Sequence, residues 1–161
     1  MTGEPTITLA VDATDRTGIV ASLQTVINVC DTGTGNLPAR TGVFRRLLPD
    51  YSGADPITEL EVRLAHDRRV LTTHTRRATR SLRLLANGIT TFTRAQAIDL
   101  AGALTTANLI IAERGGFPGR NVEDVTTMRD ATTAPDTARA SKRWLTNYDV
   151  VADLMSFIND G

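Results

Sequence analysis

Apolar residues recur along this chain at two spacings, and the change from one to the other marks its elements. Ile7-Thr8-Leu9-Ala10-Val11 alternates and predicts a short strand over 6–11. Asp12, Thr14, Asp15 and Thr17 follow as alternative N-caps. Behind them Ile19, Val20, Leu23, Val26, Ile27 and Cys30 repeat at helical spacing, which predicts an amphipathic helix over about 17–31. Thr32-Gly33-Thr34-Gly35-Asn36 reads as a glycine-rich turn; no strand leads into it and no Gly-Lys-Ser/Thr follows, so it is not a phosphate-binding loop. Pro38 can open a short helix with Val43, Phe44, Leu47 and Leu48 on one side, ended by Pro49. Tyr51 to Pro56 is a loop in which Asp55 is placed to cap the next helix.

From Ile57 to Ala86 there is neither proline nor glycine. Ile57, Leu64, Leu71, Ala78 and Leu85 stand seven apart, with Leu60 and Leu82 alongside, and predict a helix ~45 Å long that forms the spine of the domain. Asn87-Gly88 stops it with residues that tolerate a left-handed backbone. Ile89 to Phe92 reads as a second short strand that could pair with the first. Thr93-Arg94-Ala95-Gln96 is a capping box for a helix over 94–114, with Ala97, Leu100, Ala101, Leu104, Ala107 and Ile111 inward and Gly115-Gly116 closing it. Residues 117–135 are polar and weakly periodic, and a long loop is expected. Asp136 is placed to cap a last helix on which Trp144, Tyr148, Val151, Met155 and Ile158 form a stripe, a core or dimer seam. The expected fold is mainly α: a single-domain bundle over 1–161 of four main helices and one short one, with a minimal two-stranded ribbon.

Composition changes this picture little, because 41% apolar and 22% charged residues are ordinary for a globular chain of 161 residues. Seven aromatic residues leave a core that must be aliphatic and alanine-rich. Cys30 is alone, lies on an apolar stripe, and cannot form a disulfide within the chain; it is a weak redox candidate. No Cys/His grouping has metal-ligand spacing, so no metal and no cofactor is expected. No signal peptide and no apolar stretch approaching the ~20 residues of a membrane span is read, so a cytoplasmic location without membrane association is the default expectation.

Charge changes the picture most. The net charge is zero, yet residues 62–120 hold ten bases against three acids, while 1–61 hold four against eight and 121–161 four against seven. On a helical wheel centred on Leu71, Arg69, Arg76, Arg80 and Arg83 fall together on the far side, flanked by Arg77, His66 and Thr73. Such a stripe suits an acidic protein partner or the phosphates of nucleic acid. It could also be a solvated face, or be covered internally by Asp149, Asp153 and the acids around Asp130. No helix-turn-helix spacing and no interleaved aromatics accompany the arginines. His66 and His74 stand eight apart on the polar side, and neither Glu59/Glu61 nor Glu123/Asp124 shares a helix face, so no catalytic group is assigned and a non-enzymatic protein is expected. Surplus apolar surface on the Trp144 helix makes a homodimer a further expectation.

Three segments resemble an actinobacterial family known as a domain of unknown function (number two-zero-one-seven). Leu47-Leu48-Pro49-Asp50-Tyr51 with Asp55-Pro56 and the helix bearing Glu61, Arg63 and Arg68 resembles the family's turn into its long basic helix. Phe92-Thr93 through Ala103-Leu104 to Arg114-Gly115 is similar to its capped second core helix, and Trp144-Leu145-Thr146 to its closing helix. Where the family reads Leu-Asn-Asp-Leu-Arg, this chain reads Leu104-Thr105-Thr106-Ala107-Asn108-Leu109. The resemblance implies a gene beside the ClpS proteolytic adaptor and a role in transcriptional or oxidative-stress regulation through a sigma factor. A paired-cysteine switch cannot operate within a chain whose one cysteine is Cys30.

Overall fold

A computed structural model of the chain describes residues 3–35, 42–48, 56–117 and 121–160, without the side chains of 34–35 and 56–63. Asp12 opens α1 (Ala13–Gly35): its carboxylate accepts the Asp15 amide at 2.7 Å and its carbonyl the Arg16 amide at 2.9 Å. The helix therefore starts at Ala13, four residues ahead of the expected start at about 17. At its other end it runs on through Thr32 and Gly33, which the sequence reads as turn. Gly33 is helical there because it is small: a Cβ on it would lie 2.9 Å from the Phe44 ring and 3.0 Å from a Leu71 methyl. That close approach seats α2 (Val43–Leu47), with Leu47 and Leu48 buried. The expected helix opening at Pro38, the Pro49 stop and the Asp55 cap lie outside the described residues.

The spine is α3 (Pro56–Ala86). Leu71, Ala78 and Leu85 are buried at their expected spacing of seven, whereas Leu64 is 39% exposed; Ile57 and Leu60 fall outside the described side chains. Gly88, with φ +76°, takes the left-handed turn, its amide bonding the Leu85 carbonyl at 3.1 Å and the Ile89 amide the Leu84 carbonyl at 3.0 Å. Arg16 of α1 reinforces this end, its Nη2 donating to the Leu85 carbonyl at 2.7 Å and to the Ile89 carbonyl at 3.3 Å. A charged donor at a helix C-terminus is worth about 1–2 kcal/mol when half-buried. Arg16→Ala is accordingly expected to lower the unfolding free energy by about that amount in urea titrations, with Arg16→Lys recovering only part of it. A change below about 0.3 kcal/mol would remove this contact from the account.

The two strand segments do pair. β1 (Thr6–Thr8) and β2 (Thr91–Thr93) run antiparallel, Thr6 opposite Thr93, Ile7 opposite Phe92 and Thr8 opposite Thr91. Each is shorter than the sequence suggests. Phe92 points from the ribbon into the bundle and is fully buried.

Thr93 then caps α4 (Arg94–Gly115) as expected, its hydroxyl accepting the Gln96 amide at 3.3 Å while Gln96 Oε1 accepts the Thr93 amide at 3.0 Å. Gly116, with φ +66°, closes it. This helix is long and apolar enough to meet the length and composition test for a membrane span, contrary to the expectation that no stretch comes close. Its inward line is core: Ala97, Leu100, Ala101, Leu104 and Ala107 are buried against α1, α3 and α6, while Ile98 and Leu109 face outward.

The expected 117–135 loop is corrected. Residues 122–131 form α5 (Val122–Ala131), capped by Asn121, whose Oδ1 accepts the Asp124 amide at 2.9 Å. α5 folds by docking on α6 (Pro135–Asn159), in a second small cluster of Ala112, Phe117, Val125 and Trp144. Val125 is the one fully buried apolar side chain of α5. Val122 and Met128, three residues to either side, are half-buried against the same cluster, a stripe too short to mark a helix in the sequence. Asp136 is not the cap of α6. Pro135 opens that helix, and Asp136 lies in its first turn, ion-paired to Arg139. Six helices and the ribbon thus make a mainly α fold among the described residues.

Candidate interaction face

The outer face of α3 follows directly from its inner one. Because Leu71, Ala78 and Leu85 are held in the core, Arg69, Arg76, Arg80 and Arg83 are turned to the opposite side, and all four are exposed. They span ~21 Å of helix axis. Arg69, Arg76 and Arg83 have no ion-pair partner among the described residues. Asp149 and Asp153 are exposed on α6, and Asp130 pairs with its neighbour Arg129 at 3.2 Å, so these acids do not cover the stripe.

Arg77 is set apart from the other four. It is half-buried on the flank facing α4, with its Nε 3.9 Å from Asp99 Oδ1, while Arg80 Nη1 reaches Asp99 Oδ2 at 3.7 Å. Its stem lies over Gly102, where a Cβ would stand 3.0 Å from Nη1. One turn earlier, His74 Nδ1 meets Thr106 Oγ1 at 3.0 Å. Thr106 spends its own hydrogen on the Gly102 carbonyl at 3.0 Å, so His74 donates from Nδ1. Burial, and then the Arg77 charge, hold its pKa below the usual histidine value.

Beyond Arg77 the surface turns apolar. A groove of about 490 Å³ crosses α4 towards the end of α6, with Ile98, Leu109 and Met155 exposed by 42, 36 and 41% along it. Arg46, His74 and Arg77 also line it. Arg46 is fixed there by Glu113 at 2.8 Å. The sequence carries a partial signal for this groove, since Ile98 and Leu109 are large apolar residues off the inward stripe of α4. Nothing in it places Met155 beside them.

The Trp144 stripe is split by the structure. Trp144 is buried, Val151 half-buried, and Tyr148 and Met155 exposed, because the inward line of α6 is Ser141, Trp144, Asn147, Val150 and Leu154. Tyr148 stacks on Trp144 with ring centroids 5.3 Å apart and an interplanar angle of 17°. Cys30 is fully buried, and loss of solvent pushes its thiol up to about 12, so the nucleophilic thiolate is scarce at neutral pH. No group of three or more His, Cys, Asp or Glu among the described residues is placed to hold a metal ion.

No curated protein and no solved structure matches the chain significantly. A family model does match it, over residues 4–156, which takes in both strands, the arginine helix and nearly all of α6. By that match the chain belongs to the family described as Domain of unknown function (DUF2017).

Proposed function

We propose that the protein is a non-enzymatic interaction protein whose arginine face on α3, with the adjoining groove, receives an acidic, amphipathic segment of a protein partner. The observation that carries this reading is the exposure of Arg69, Arg76, Arg80 and Arg83 on one face, three of them without an ion-pair partner among the described residues. Unpaired guanidiniums in a row steer and bind an extended acidic surface. The groove beside them favours protein over nucleic acid, because Ile98, Leu109 and Met155 offer an apolar helix face something to bury and offer phosphates nothing. Regulation of transcription or of the oxidative-stress response through a sigma factor is the setting that the family resemblance suggests; an accessory role in ClpS-linked proteolysis is the other. A homodimer through the exposed apolar groups of α6 remains part of the proposal.

Direct DNA binding is the second reading, favoured by the length of the stripe alone. The two separate in one experiment. The protein serves as bait in an extract of its source cells, beside a variant with Arg69, Arg76, Arg80 and Arg83 all changed to Glu, and beside a Lys version that keeps the charge. A partner retained by the wild type and the Lys version, and lost from the Glu version, is the expected result. Equal capture by all three would overturn the reading. Binding to a duplex of about 20 base pairs with a steep salt slope, flattened by Arg76→Ala with Arg80→Ala, would transfer the face to DNA.

A further inference from the structure

Between the last turns of α3 and the first turns of α4 lies a cavity of about 270 Å³ lined by Arg80, Ser81, Arg83, Asn87, Gln96 and Asp99, with Leu84 as its apolar wall. Ser81 is its most informative member. A serine or threonine within a helix ordinarily donates to the carbonyl four residues back. In this protein Thr17, Ser22, Thr25, Thr73, Thr105 and Thr106 all do so. Ser81 does not: it is 1% exposed and its hydroxyl has no partner. Thr75 Oγ1 on the same helix is likewise buried and unpartnered, but of the two only Ser81 borders this cavity, where a turn about χ1 would bring its hydroxyl onto a ligand atom.

The other lining groups are mostly donors. Arg83 has no ion-pair partner among the described residues, and Arg80 holds Asp99 only at 3.7 Å, which leaves most of its guanidinium hydrogens free. Gln96 commits its Oε1 to the Thr93 amide in the capping box, so its amide nitrogen is left to donate. Asn87 adds a second amide. The C-terminal carbonyls of α3, which would repel an anion, are occupied: Leu84 and Leu85 accept the Ile89 and Gly88 amides, and Leu85 also accepts Arg16. Asp99 is the one acid in the cavity, and Arg77 and Arg80 both stand beside its carboxylate. Two guanidiniums, two amides and one hydroxyl converging from two helices suit a tetrahedral oxyanion carrying two charges. The volume admits a small molecule.

We propose that this cavity is a binding site for the dianionic phosphate of a small phosphomonoester, held by Arg80 and Arg83, with Ser81 and Gln96 bonding its oxygens. This assignment shares Arg80 and Arg83 with the protein-partner reading of the stripe but not Arg69 and Arg76, so Arg69→Ala separates the two. The test is a titration of the ¹⁵N-labelled protein with glycerol 3-phosphate at about pH 8, where a phosphomonoester is dianionic. Saturable shifts of the Ser81, Asn87 and Gln96 amides are expected, with a millimolar or tighter Kd. Arg83→Ala and Arg80→Ala should each weaken binding by about tenfold or more, and Ser81→Ala by several-fold. Arg69→Ala should change it by less than about twofold. Dimethyl phosphate, a singly charged diester, should bind at least about tenfold more weakly. The absence of saturable shifts, an equal loss with Arg69→Ala, or equal affinity for dimethyl phosphate would each overturn the site. A capped phosphoserine tripeptide binding more tightly than glycerol 3-phosphate would overturn the small-molecule assignment.

Discussion

Replacing Phe92 by alanine is expected to destabilise the protein by about 3–5 kcal/mol, the range for deleting a buried aromatic ring. The reason lies in how the ribbon is held. β1 and β2 are three residues each, and a two-stranded ribbon of that length has no independent stability. Phe92, fully buried and paired opposite Ile7, is the side chain by which the ribbon enters the core. Its loss leaves a cavity among packed aliphatic residues, and it also loosens the N-terminal strand that has Thr91–Thr93 as its partner. Thermal unfolding followed by circular dichroism should show a midpoint lower by about 10 °C or more, taking roughly 2–4 °C per kcal/mol for a domain of this size. Phe92→Leu should recover more than half of the loss. If Phe92→Ala costs less than about 1 kcal/mol, the ribbon is peripheral and the burial of this ring has been misjudged.

The ribbon, the capping box and the Asn87-Gly88 stop were all legible in the sequence for the same reason. Each segment is marked by residues close together in the chain; the cap and the stop also close with local hydrogen bonds, whereas the two ribbon strands, each legible alone, pair across about 85 residues. The inner face of α3 was legible at Leu71, Ala78 and Leu85, and with it the outer placing of Arg69, Arg76, Arg80 and Arg83, because a helix fixes both faces at once. α5 was not, since its apolar stripe is only Val122, Val125 and Met128, within a polar segment, and its burial is supplied by α6. Asp99, which holds Arg77 and Arg80, comes from another helix, as does the Ser81 cavity's Gln96; spacing along α3 cannot supply either.

The misplacement of the α6 seam has a more instructive cause. Reading Trp144, Tyr148, Val151, Met155 and Ile158 as one core or dimer seam follows hydrophobicity, but the line this helix buries runs through Ser141, Trp144 and Asn147 and leaves Tyr148 and Met155 exposed. Two polar residues in a core stripe rotate the apparent apolar face by part of a turn. They can do so because their hydrogen bonds are met, Ser141 Oγ by the Ala138 carbonyl of its own helix and Asn147 Nδ2 by Ser22 and Asn108 of two other helices, and no local pattern encodes the latter.

Those hydrogen bonds carry the second large effect, a loss of about 3 kcal/mol in Asn147→Ala. Asn147 is fully buried, and its Nδ2 donates to Ser22 Oγ at 3.0 Å and to Asn108 Oδ1 at 3.1 Å, joining α6 to α1 and α4. Asn108 in turn donates to the Trp144 carbonyl at 3.1 Å, and Ser22 to the Gly18 carbonyl at 3.0 Å. Truncation at Asn147 would leave Asn108 Oδ1 without its donor in the interior and open a void, and both terms add to the cost. Because Asn108 and Asn147 share one bond, their losses should not sum. A double-mutant cycle with Asn108→Ala is expected to give a coupling of about 1 kcal/mol or more in urea unfolding. Additive losses would show the two amides to be independent. The network's position, one side chain from each of three helices, makes it a register lock: helices slid by one turn would bury these groups unpaired. Asn147→Leu, which fills the void without restoring the donors, should therefore recover part of the stability while broadening the amide spectrum; a spectrum as sharp as the wild type's would show that apolar packing alone sets the register.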